Sequence, residues 1–192
     1  MKKVSRTLIL VLLLVTSFNI YAAKDWDVKV SEEQHLVVEL DSNLTGAVVS
    51  LQDLKGNILY KEVLSNDRFS KQFDFELLPE GTYYLKLDKK EGVLRTEVKK
   101  SAYGITVSDK TDIVFKPVFK VEGDLVKVFL HNNRNVKTSM EVTDAYGEVV
   151  GVSSDRRQVF KRTLDFSEVP AGEYTVSFMV GEEIFSKKLY ID

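Results

Sequence analysis

The sequence predicts an all-β protein whose mature part is two tandem antiparallel β-sandwich domains behind a cleaved signal peptide. Three observations carry this expectation. Apolar residues recur at period two in short runs, one pattern repeats along the chain at a single offset, and the first residues have the make-up of an export signal.

The chain of 192 residues opens Met1-Lys2-Lys3-Val4-Ser5-Arg6 and then runs uncharged from Thr7 to Ala23. A basic start followed by a short apolar run is the order of a signal peptide, and the run falls short of the about 20 mostly apolar residues of a membrane span. Small residues place the cut after Ala22 or Ala23, before Lys24-Asp25-Trp26-Asp27, so the domains are expected at residues 24–108 and 109–192. There is no cysteine. Disulfides, thiolate metal sites and a lipid anchor on cysteine are therefore excluded, and packing alone must hold each unit of about 80 to 90 residues. Removing Lys2, Lys3 and Arg6 takes the formal charge from −2 to −5 with no block of like charge. That balance argues against nucleic acid as a partner and against stable membrane insertion after cleavage.

The repeat is read by sliding the chain against itself. Leu78-Pro79-Glu80-Gly81-Thr82-Tyr83 meets Val169-Pro170-Ala171-Gly172-Glu173-Tyr174 at an offset of 91, and the same offset carries Leu51 to Val98 without a gap. Upstream, Leu36–Leu40 fits Val126–Leu130 at an offset of 90, which puts one extra residue in a loop of the second copy. Within copy one, alternation turns Leu36, Val38 and Leu40 inward, then Val49 and Leu51, Phe73, Phe75 and Leu77, Tyr83, Leu85 and Leu87, and Leu94, Thr96 and Val98. About seven short strands per copy follow. Asp53 and Asp144 stand before Gly56 and Gly147 as turn formers, Pro79 and Pro170 lie between strands, and Tyr83 and Tyr174 have the place of a tyrosine-corner residue. Ser101 to Lys116 reads as a short ordered connector able to add a strand, with the boundary near Asp109 to Asp112.

This series of Asp-x-x-Gly, Phe-Asp-Phe, Leu-Pro-x-Gly-x-Tyr and a closing lysine-bearing strand resembles the Ig-like or fibronectin-like sandwiches of secreted Bacteroidota proteins, in particular the C-terminal sorting domain of type IX secretion cargo. Copy two fits that family better, through Asp144-Ala145-Tyr146-Gly147, Val169–Tyr174 and the closing Lys187-Lys188-Leu189-Tyr190-Ile191-Asp192. Lys116-Pro117-Val118 replaces the family's Pro-Asn-Pro-like opening, and copy one carries the same pattern internally. The resemblance implies an Ig-like fold and a periplasmic or secreted location.

No catalytic, cofactor or metal constellation is expected. His35 and His131 lack histidine twins, serines such as Ser153 and Ser154 have no base at motif spacing, and Glu32-Glu33 and Glu182-Glu183 read as solvated turn residues. Asp41, Asn43, Asp124, Asn132 and Asn133 lack the spacing of a calcium loop, and Asn43-Leu44-Thr45 reads as a loop. The lysine and arginine pairs Lys99-Lys100, Arg156-Arg157 and Lys187-Lys188 read as solvated faces. Trp26, Tyr84 and Tyr103 have no aromatic twins and are the candidate partner-binding residues, weighed against packing at the sandwich base for Trp26 and cover of the domain interface for Tyr84. The expected function is a non-enzymatic envelope module, structural or binding an envelope protein or a glycan. The alternative is a type IX cargo whose second repeat is the sorting domain.

Overall fold

The computed structural model describes residues 26–31, 35–41 and 44–192. The signal peptide expected over residues 1–23, the Glu32-Glu33 pair and Asn43 lie outside the described residues. All regular structure among the described residues is β, in fifteen strands.

Residues β1 (Asp27–Val30), β2 (His35–Asp41) and β5 (Arg68–Asp74) form one sheet of the first sandwich, in the order β1-β2-β5. Its companion is β4-β3-β6-β7-β8, built from β3 (Val48–Asp53), β4 (Ile58–Val63), β6 (Gly81–Asp88), β7 (Gly92–Ser101) and β8 (Gly104–Phe115). The second sandwich repeats this plan. Strands β9 (Val118–Glu122), β10 (Leu125–His131) and β13 (Val159–Asp165) make the sheet β13-β10-β9, and β11 (Thr138–Thr143), β12 (Val149–Asp155), β14 (Gly172–Val180) and β15 (Glu183–Ile191) make β12-β11-β14-β15. Every pairing is antiparallel.

The alternation of each strand supplies its inner face. Leu36, Val38 and Leu40 on β2 meet Val49, Leu51, Leu85, Leu87 and Phe75 in one core, and Val126, Val128 and Leu130 on β10 meet Met140, Val142, Val176 and Phe178 in the other. The sequence offsets hold in space, since Phe73 and Phe75 stand where Leu164 and Phe166 stand in the second copy. Both sheets even share a bulge at the same place, between Leu51 and Gln52 on β3 and between Val142 and Thr143 on β11. Asp53 accepts hydrogen bonds from the amides of Lys55 and Asn57, and Asp144 from those of Tyr146 and Glu148, which closes the two hairpins whose glycines have positive φ. The hydroxyls of Tyr83 and Tyr174 each donate to a carbonyl four residues back, Pro79 O at 2.6 Å and Pro170 O at 2.7 Å.

One inward expectation fails. Leu77 is 93% exposed rather than buried beside Phe75. Strand β5 ends at Asp74, whose carboxylate accepts the Glu76 amide, and the bond from Leu78 N to Phe75 O turns the chain so that Leu77 sits at the tip of a loop. Alternation stops mattering where the ladder stops.

Strand β8 is the element that the repeat lacks in its second half among the described residues. It pairs with β7 along both of its halves, interrupted by a bulge opposite Glu97, at Ser108-Asp109-Lys110. The bulge re-aims its side chains. Ile105 and Val107 pack into the first core, whereas Val114 and Phe115 pack into the second. The change from one core to the next thus falls inside a single strand.

Candidate functional site

The chain passes from β8 to β9 through only Lys116 and Pro117. A second connection between the sandwiches comes from a hairpin tip of the second one. Strands β14 and β15 are joined by the two-residue turn Gly181-Glu182, with Val180 opposite Glu183 and Gly181 at φ +63°. Glycine at that turn admits the left-handed conformation that a tight hairpin requires. The tip meets the outer face of the larger sheet of the first sandwich, where alternation has turned Tyr84, Lys86 and Arg95 away from the core.

Four contacts define the meeting. Lys86 Nζ donates to Glu183 Oε1 at 2.7 Å, with both side chains 18% exposed. Arg95 Nη1 donates to Glu182 Oε2 at 2.8 Å. The same guanidinium lies 3.6 Å from Asp112 Oδ2 on β8, and that oxygen is 4.0 Å from Arg134 Nη2 in the loop after β10. Charges of alternating sign therefore run from the second sandwich through two strands of the first and back to the second. The Arg95 guanidinium also stands 4.6 Å over the centre of the Tyr84 ring, an attraction of about 0.5–2 kcal/mol that holds the head in place. Beside this line, Lys116 bonds Asp88 at 2.5 Å, and a cleft of about 490 Å³ opens between Asp88, Val93, Lys116, Phe119, Glu183 and Phe185.

The structure thus separates the three aromatic candidates. Tyr84 is half-buried and belongs to this junction. Trp26 packs on the first core, and its indole N–H donates to Thr96 Oγ1 at 2.7 Å, which is itself 3.0 Å from Thr111 Oγ1 on β8. Tyr103 is 99% exposed in the two-residue turn between β7 and β8. That turn lies beside the Leu77 loop, because Lys100 Nζ donates to the carbonyls of Phe75, Glu76 and Leu78, the last at 2.7 Å. No contact brings the three aromatics together.

Two solvated readings are corrected here. Glu183 is largely shielded in its ion pair across the junction, whereas Glu182, though paired with Arg95, is 82% exposed in its turn as expected, and Lys100 is a three-fold bridge to a loop rather than part of a free basic face. His131 stacks on Phe115 with ring centres 5.1 Å apart. Asn132 is buried, and its side-chain N–H groups donate to the carbonyls of Val136 in its own loop and Arg157 in the connection between β12 and β13, while its Oδ1 accepts from the Val136 amide. Among the described residues no group of three or more His, Asp or Glu side chains is placed to hold a metal ion. Sequence reasoning missed Lys86, Arg95, Glu182 and Glu183. The signal was present in the repeat, for the twins of Lys86 and Arg95 are Ser177 and Ser186.

Set on this geometry, the family match falls on the first sandwich. Residues 32–101 match the secretion system C-terminal sorting domain. The family is the one that the sequence resembles, and the matched span runs from the approach to β2 to the end of β7. It covers the copy without the better apparent fit. A domain of this kind marks an exported protein. Among solved structures the chain is similar to the BSP domain of a biofilm-associated protein, at 14% identity and a TM-score of 0.31 over 87% of this chain and 29% of that one. It is similar to the human OSCAR ligand-binding domain at 12% identity and a TM-score of 0.26, over 86% of this chain and 96% of that one. A β-glucuronidase from an uncultured Clostridium species is similar at 11% identity and a TM-score of 0.31, over 88% of this chain and 32% of that one. No curated protein matches the chain.

Proposed function

We propose that this protein is a cargo of a type IX secretion system, with the sandwich of residues 32–101 as the element the system recognises, and that it leaves the cell as a non-catalytic module. The observation that carries the reading is the match of that sandwich to the sorting domain family. Its loops fit a recognition role physically. The β5–β6 loop is pinned by the Tyr83 hydroxyl and by Lys100, so the exposed Leu77 and the neighbouring Tyr103 turn sit on a fixed support. Preorganised apolar tips of this sort lose little entropy when a partner closes on them.

The test is fractionation of cells that make the full chain, in a strain with a working type IX system and in one without it. Delivery to the surface or the medium in the first, with retention in the periplasm of the second, is the expected result. Equal delivery in both strains, or periplasmic retention in both, overturns the proposal, and the latter outcome is what a resident envelope module binding a protein or a glycan would give.

A further inference from the structure

The structure assigns the outer face of the first sandwich, formed by Tyr84, Lys86 and Arg95, as a receptor for an acidic β-hairpin, and its occupant is the Glu182-Glu183 tip of this chain's own second sandwich. The contact is a latch that fixes how the two sandwiches stand. Neither the family match nor the proposed export function calls for it.

Three features argue that the contact is built rather than incidental. The receptor side chains occur only in the copy that has a neighbour to receive. At the equivalent positions of the second sandwich the pair Lys86 and Arg95 becomes Ser177 and Ser186, whose hydroxyls bond each other at 2.9 Å, and Tyr84 becomes Thr175. The plug differs at one of its two acids: Glu183 stands where the first copy has Gly92, while Glu182 has its counterpart in Glu91. The receptor side chains and the half-buried acid of the plug are therefore confined to opposite partners of one junction.

The second feature is shielding. Lys86 and Glu183 are each 18% exposed, so water competes weakly for this pair compared with an open surface pair. The third is preorganisation. Arg95 is held by the Tyr84 ring beneath it and by Asp112 beside it, so its fork is already aimed when Glu182 arrives. The geometry also has leverage. With only Lys116 and Pro117 between β8 and β9, one covalent crossing leaves a swing about that point open. A second attachment on β6 and β7 closes it.

The experiment uses the full mature chain with dyes on cysteines placed at Leu77 and Tyr146, 93% and 91% exposed at the two sandwiches. The chain has no cysteine of its own to interfere. Single-molecule energy transfer is expected to give one narrow peak. Reversing the receptor (Lys86→Glu with Arg95→Glu) or the plug (Glu182→Arg with Glu183→Lys) is expected to broaden and shift that peak, and combining the two reversals to restore it. The plug variant lies on an exposed turn, so it reports even if the receptor variant unfolds, and an unfolding curve on each sample shows which peaks come from folded protein. An unchanged peak in the folded plug variant overturns the latch, as does a folded four-fold variant that keeps the broadened one. Export plays no part in the readout, so failure here leaves the secretion reading standing and the reverse holds too.

Discussion

Glycine 92 is expected to be the least replaceable glycine of the chain. It opens β7 directly opposite Phe115 of β8, and a Cβ added there would lie 2.5 Å from Val114 O and 3.1 Å from the Phe115 Cα. Ordinary contact begins at about 3.4 Å, so β8 must retreat by roughly 1 Å, and both obstacles are backbone that no rotamer change can move aside. Overpacking of this kind costs about 1–3 kcal/mol. The loss should be felt twice, because Val114 and Phe115 also belong to the second core. Gly151 provides the contrast: a Cβ there meets only the Val142 side chain, at 3.7 Å, and φ lies outside the left-handed region. Gly151→Ala should be neutral or gain about 0.4–1 kcal/mol through the unfolded chain. Urea unfolding of both full-length variants measures the difference. With a slope of about 1–3 kcal/mol per molar urea, Gly92→Ala should lower the midpoint by about 1 M while Gly151→Ala leaves or raises it. Equal midpoints for Gly92→Ala and the parent would refute the close approach of β8.

Two further outcomes follow from single contacts. Tyr83→Phe and Tyr174→Phe each remove one hydroxyl bond to a proline carbonyl and keep the ring, so each should cost about 1 kcal/mol in the same urea assay, and the two losses should add because the sites lie in different cores. Acid should destabilise the second sandwich through two carboxylates. Hydrogen bonds from Lys120 and then Lys127 hold Glu122 down at about 2 from its ordinary 4.5, and the Arg157 side chain, followed by the Arg157 amide, holds Asp155 far below the usual range. Both groups bind protons more weakly folded than unfolded, so their contribution is complete above about pH 4.5 and is lost as pH falls toward 2. Thermal melts between pH 7 and 5 should coincide as far as these groups are concerned, and Glu122→Gln should flatten the decline below pH 4.5.

The fold was legible because two signals agreed. Period two located the inner faces, and the offset of 91 showed the same faces twice, so an accidental alternation in one copy would have been exposed by the other. Leu77 escaped because alternation carries no information on where hydrogen bonding ends; the Asp74 carboxylate taking the Glu76 amide decides that. Strand β8 was legible only as an option. Its alternation is broken by Ser108-Asp109-Lys110, which looks like a polar linker in sequence and is a bulge in space, and a bulge shifts the face of every later residue.

The junction was harder for a different reason. Comparing the copies singled out unmatched aromatics and histidines, the residue types that most often carry chemistry, and of these Tyr84 alone belongs to the junction. The informative mismatches were ordinary charges: Lys86 against Ser177, Arg95 against Ser186 and Gly92 against Glu183. None is unusual on a sandwich surface, and a lysine facing solvent needs no explanation until its partner is known. Their meaning depends on two positions of different copies meeting, which no register between the copies can express. Position 92 and its twin show how one site in the repeat serves two needs. In the first sandwich a strand passes against it and only the absence of a side chain lets β8 through to seed the second core. In the second sandwich the twin begins β15 with no neighbour on that side among the described residues, so a long acidic side chain fits and reaches back to Lys86. The glycine that admits the connecting strand and the glutamate that returns across the junction are thus two settings of the same place, one tying the sandwiches through the backbone and the other through charge.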